Sequence, residues 1–96
     1  MKEGLKKIVY KNREILIIDY LDYKESGMID LVTAARELIL KENKKVLLLS
    51  ILNDKTYLSP RFIRHVDKEL TAAEQLIERN AATGLSNVQQ WYKPLV

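Results

Sequence analysis

Val46–Leu52 reads VLLLSIL, preceded by Lys44-Lys45 and followed by Asn53-Asp54. The run is apolar at successive positions, so both of its sides are apolar. That pattern is typical of a central strand in a parallel or mixed sheet, where both faces of the strand are covered. A parallel neighbour needs a crossover, and the flanking segments supply two.

Upstream, Met28, Leu31, Val32, Ala35, Leu38 and Ile39 recur at helical spacing, with Asp30, Thr33, Glu37 and Lys41 on the opposite side. This predicts an amphipathic helix over Gly27 to about Glu42, with Ser26 as its N-cap. Downstream, Ser59-Pro60 is a helix start: Ser caps free N–H groups, and Pro at the first helical position has a preset φ. Phe62, Ile63, Val66, Leu70, Ala73, Leu76 and Ile77 carry its apolar stripe to about Glu78.

Further out, Leu5–Tyr10 and Glu14–Tyr20 (EILIIDY) read as strands joined by the polar turn Lys11-Asn12-Arg13, an antiparallel hairpin. Ala81-Ala82-Thr83 reads as a short strand, and Val88–Leu95 as a last, weak helix. The expectation is one α/β domain spanning residues 1–96. It has a mixed sheet of about four strands in the order β-β-α-β-α-β-α, backed by two long amphipathic helices. If the strand order runs steadily outward, both long helices lie on one face. The other face of VLLLSIL then needs a partner subunit, a ligand or a dry edge of the same fold.

The bulk numbers exclude several functions. The chain has 96 residues and no cysteine, so disulfides, thiolate metal sites and cysteine nucleophiles are out. The start, MKEGLKKIVYKNREILII, has the lysine-first order of a signal peptide. However, Lys11, Arg13 and Glu14 interrupt its apolar run and no small-residue cleavage site follows, so a cytoplasmic protein is expected. The apolar stretches Ile15–Ile18 and Val46–Leu49 are far short of the ~20 residues a membrane helix needs, and no membrane insertion is expected. The net charge is +3. Its basic clusters, Lys6, Lys7, Lys11 and Arg13 and then Lys41, Lys44 and Lys45, are interleaved with acids. They read as solvated turns and strand edges, and no nucleic-acid partner is expected.

Loops at the carboxyl ends of parallel strands converge, and ligands favour that rim. One loop brings Asp19, Tyr20, Asp22, Tyr23 and Ser26. A second brings Asn53, Asp54, Thr56, Tyr57 and Ser59, and a third Gly84, Ser86 and Asn87. Asp19, Tyr20, Asp22, Tyr23, Asn53, Asp54, Thr56, Tyr57, Ser59 and Ser86 are therefore the candidate binding residues. The competing reading is turn chemistry and helix caps. Ser59 has two readings of its own: an N-cap, or a phosphosite whose dianion would sit at a helix N-terminus. A magnesium site at Asp19, Asp22 and Asp54 is not supported by their spacing, and no metal or cofactor is expected. His65 reads as a solvated residue on the helix surface. No nucleophile motif, phosphate loop or metal-ligand spacing accompanies it, so no catalysis is expected. Trp91 and Tyr92 read equally as core packing or as anchors of a subunit contact.

Five segments together resemble the STAS-like (anti-sigma-factor-antagonist-like) domain family, and more narrowly its STAS/CRAL-TRIO-type single-domain group. They are the hairpin ending IIDYLDYK, the helix SGMIDLVTAARELILKE, the strand KKVLLLSILN, the helix opening LSPRFIRHV, and NAATGLSNVQQW. The likeness covers nearly the whole chain. It implies a non-catalytic regulatory or protein-binding module acting through the rim and the start of the Ser59 helix. The CRAL-TRIO-type side implies an alternative, a carrier or sensor of a lipid or other apolar small molecule. A homodimer is compatible with both. Two departures stand out. The family's Asp-Ser-Ser/Thr-Gly signature, with its phosphorylatable Ser, is replaced by NDKTYLSPRF. Relatives also usually continue beyond the helix starting at Val88.

Overall fold

The computed structural model describes residues 2–84. Two strands come first, β1 (Leu5–Tyr10) and β2 (Arg13–Asp19), then helix α1 (Glu25–Glu42), strand β3 (Val46–Ile51) and helix α2 (Pro60–Ala72). A single 3-10 turn, Glu74–Leu76, leads into strand β4 (Ile77–Thr83). The helix expected over Val88–Leu95, with Trp91 and Tyr92, lies outside the described residues, as do Ser86 and Asn87.

The hairpin turns on Lys11 and Asn12, whose φ values of 51° and 65° are both left-handed. Two such residues make the primed turn whose twist matches the flanking strands. The turn sets the register, Tyr10 opposite Arg13 through Leu5 opposite Ile18. β3 then pairs parallel with β2, and β4 parallel with β3, giving the sheet order β1-β2-β3-β4. The expected mixed α/β sheet with two helices is the observed one.

Both described helices cover the same face. Leu16, Ile18, Leu48, Met28, Leu31, Val32 and Phe62 form its buried centre. Along β3 the pattern alternates: Val46, Leu48 and Ser50 are buried, while Leu47, Leu49 and Ile51 are only half-buried. Ile15 and Ile17 of β2 join them on the second face.

Three boundaries differ by two residues or more from the sequence reading. α1 starts at Glu25, and its N-cap is the extended Lys24, which makes no side-chain bond. Ser26 therefore sits in the first turn and caps nothing. The chain favours this start because the Glu25 carboxylate is held by Ser59 and Arg61 of the α2 start. α2 ends at Ala72, not near Glu78. Ala73, Leu76 and Ile77 do continue the apolar spacing, but they do so through the 3-10 turn and into β4. The last strand is accordingly longer than Ala81–Thr83, and a register shift between Val46 and Leu47 makes Glu78 the extra residue of a bulge.

Candidate functional site

β2, β3 and β4 all end at the expected rim, and their exits are tied by backbone bonds, Tyr20 N–H to the Ile51 carbonyl and Leu52 N–H to the Thr83 carbonyl. Gly84 leaves β4 with φ +98°, and a β-carbon there would fall on the Leu52 carbonyl oxygen. Only glycine lets the third loop approach this closely.

Most of the predicted rim side chains are engaged in holding this geometry. Asp19 accepts from the Leu21 N–H at 2.9 Å, an Asx turn. Tyr20 is not on the rim at all: it is buried, its ring edge-on to Phe62 at 5.4 Å. Burial pushes its phenol well above the ordinary range, and a hydrogen bond with Ser50 only partly offsets this. The reason was present in the alternation, since Leu16, Ile18 and Tyr20 share the helix-facing parity. Tyr23 is half-buried and packs against the core and Gly27.

The second loop is a locked turn. Asn53 Oδ1 accepts from the Lys55 N–H at 2.9 Å and from the Thr56 hydroxyl at 3.1 Å, while Thr56 Oγ1 accepts from the Asn53 N–H at 3.1 Å. Ser59 is the expected cap: its Oγ accepts from the Phe62 N–H at 3.1 Å, and Pro60 follows at the first helical position. Its hydroxyl donates to Glu25 Oε2, and Arg61 holds the other carboxylate oxygen at 3.0 Å. Ser59 is buried, so both functions of its oxygen are used inside the protein. Of the described candidate residues the rim exposes Asp22, in a left-handed turn at φ 66°, Asn53, Asp54, and above all Tyr57, at 73%. Among the described residues no three His, Cys, Asp or Glu side chains gather as metal ligands, and Asp19, Asp22 and Asp54 form no such group.

No protein-family model, curated protein or solved structure matches this chain.

Two polar clusters went unread in the sequence. Between the helices, Thr33 bonds His65 Nε2 at 2.8 Å and Glu69 at 3.3 Å, and Arg36 bonds Glu69 at 2.7 Å. His65 is therefore a half-buried residue of the helix interface, not a solvated one. Its spacing from Phe62 and Glu69, three residues after one and four before the other along one stripe, was the available signal. At the opposite end of the sheet, Lys7 Nζ lies 2.5 Å from Glu42 and 3.5 Å from Glu14, and Lys44 lies 3.4 Å from Glu14. The hydrogen bond to Glu42 raises the Lys7 ammonium above the usual lysine range against the cost of desolvation. Burial acts to raise the Glu14 carboxyl, but Lys44 and Lys7 outweigh it and hold the group below the usual range.

On the second face of the sheet, Gly4, Leu5, Lys6, Ile17, Asp19 and Ile51 line an open cleft of about 320 Å³ beside the rim.

Proposed function

We propose that this chain is a non-catalytic protein-binding module of regulatory, STAS-like type, with the rim loop ahead of α2 as its docking surface. The observation that carries the reading is the mounting of Tyr57. A large aromatic side chain stands 73% exposed between a turn locked by Asn53 and Thr56 and a buried, capping Ser59. Exposed aromatics on a rigid support are typical binding anchors, because little conformational freedom is lost when they dock. Asp22, Arg61 and Asp54 surround the same end of the fold with polar groups that suit an interface rim.

Regulation by phosphate at Ser59 is the finer form of this proposal, and the surroundings of Ser59 set its cost. A phosphate would displace the hydroxyl from Glu25 and bring a dianion against that carboxylate in a buried position. Tyr57 is therefore the cleaner probe. Affinity capture with the full chain, side by side with Tyr57→Ala, tests the reading. A partner held by the native protein and lost by at least tenfold with the variant supports it. Equal capture by both sinks the rim as the docking surface.

The cleft beside the rim supports a second reading, a carrier or sensor of a small amphiphile. Its volume sits at the lower bound of ordinary ligand pockets, Ile17 and Ile51 form its apolar wall, and Lys6 and Asp19 flank it. Native and denaturing mass spectrometry on one sample decides it. A bound mass that leaves on denaturation favours the carrier, and identical apo spectra count against it.

A further inference from the structure

β1 is an edge strand, and among the described residues three of the six exposed large hydrophobics are its consecutive Ile8, Val9 and Tyr10. They are 36%, 69% and 60% exposed. Val9 lies on the helix-facing side of the sheet and Ile8 and Tyr10 on the other, so neither face of the strand end is covered among the described residues. Natural edges are normally blunted by charge, proline or bulges. This one carries charge at Lys6 and Lys7, but the Lys7 ammonium is turned back onto Glu42 and Glu14.

The backbone of this edge is also in order. In the two-residue turn the Tyr10 carbonyl faces Arg13, and bonding direction alternates along a strand. Tyr10, Ile8 and Lys6 therefore bond to β2, while Val9 and Lys7 aim their N–H and C=O groups outward. No described backbone group meets those of Val9 and Lys7.

We propose that two copies of this chain pair antiparallel through β1, joining their sheets into one continuous eight-stranded sheet. Self-complementarity selects the second copy and the register. Centred on Ile8, the pairing sets Ile8 against its own copy, Lys7 against Val9, and Lys6 against Tyr10. No like charges face each other, and the outward groups of Lys7 and Val9 exchange four backbone bonds. Lys6 meets the Tyr10 ring, which already attracts a cation, Lys11 Nζ, at 5.3 Å from its centroid. Centring on Lys7 would oppose two lysines, and centring on Val9 would oppose Lys7 and Lys11, both unfavourable. This self-association uses a strand edge, not the rim, and does not depend on the rim reading.

The chain has no cysteine, so a single introduced one reports the register cleanly. Opposed copies of Ile8 form a non-bonded pair with Cα atoms about 4.5 Å apart, within disulfide reach. Analytical ultracentrifugation of the native chain is expected to show a concentration-dependent species of twice the monomer mass. Ile8→Cys is expected to convert to disulfide dimer under mild oxidation, with Tyr57→Cys as the collision control. Val9→Pro removes one outward N–H without touching the β1–β2 ladder, and is expected to leave only monomer with an unchanged circular dichroism spectrum. If that spectrum changes, Ile8→Lys, which opposes two ammonium groups at the centre, takes its place. A monomer at all concentrations overturns the proposal. So does a dimer that survives these edge variants, or cross-linking of the Ile8→Cys variant no faster than that of the control.

Discussion

Leu48 and Leu49 are neighbours of identical chemistry on one strand, and they sit in different environments. Leu48 faces α1 and α2 and is almost wholly buried, whereas Leu49 faces the other way and is only half-buried. The same contrast holds for Leu16 and Ile17 on β2. The strands are equally apolar on both sides, so the difference comes from the helices. Both crossovers fall on one side because the strand order advances without reversing from β2 to β4. A sequence apolar on both sides can therefore serve one closed face and one face that the described residues leave half-exposed.

The sharpest way to break this comparison is to truncate each leucine in turn. Leu48→Ala should cost about 2–5 kcal/mol through lost burial plus a cavity, and Leu49→Ala about half that or less. Urea denaturation midpoints at unchanged slope measure both. Equal losses would mean that the second face is as closed as the first. Gly84→Ala is expected to rank next, at about 1–3 kcal/mol, because it strains a left-handed residue pressed on the Leu52 carbonyl. A thermal shift close to zero would show that Gly84 can move away from Leu52.

Across the closed face, Glu69→Gln should destabilise by about 1–2 kcal/mol, since it weakens the bond from Arg36 while keeping the shape. A double-mutant cycle with Arg36→Met isolates the pair.

Titration adds a further contrast between the core and the far end of the sheet. Tyr20 and Lys7 are both raised in the folded protein, so their contributions are present at neutral pH. These contributions are lost as pH climbs past the ordinary tyrosine and lysine values and through the folded ones. Glu14 is lowered, so its contribution is lost as pH falls through the folded value, on the acid side. Tyr20→Phe should flatten the alkaline limb of a stability–pH curve and leave the acid limb unchanged. Glu14→Gln should flatten the acid limb and, because Glu14 helps to raise Lys7, also ease the alkaline limb slightly. The smallest stability effect is expected at Tyr57→Ala, within about 0.5 kcal/mol, although the same change should abolish partner capture.

Much of the architecture was legible because its signals are local. Lys11-Asn12-Arg13 announced the hairpin turn, although Arg13 already belongs to β2, Ser59-Pro60 the start of α2, and VLLLSIL a central strand. The end of α2 was not legible. Ala73, Leu76 and Ile77 satisfy a helical stripe and a turn-plus-strand path equally well, and only pairing of Ile77 with Val46 decides between them. The site divided in the same way. The cap at Ser59 is a short-range property and appeared as expected. Tyr20 shares the helix-facing alternation of Leu16 and Ile18, so its place in the core was legible locally, but the ring it meets there, Phe62, lies more than forty residues away along the chain. His65 reads as solvated in the sequence because its partner Thr33 lies on another helix.

The amino-acid order by itself determined where the chain turns, which segments become helix or strand, and which side of each is apolar. These follow from backbone sterics and from periods of two and 3.6 residues, which act within a few positions. Only the tertiary structure decided which apolar side is closed, that α1 starts at Glu25 held by Ser59 and not after a Ser26 cap, and that no other described strand pairs with the outer edge of β1. Each of these depends on what the chain brings alongside from a distance. Burial and hydrogen bonding are properties of neighbours in space.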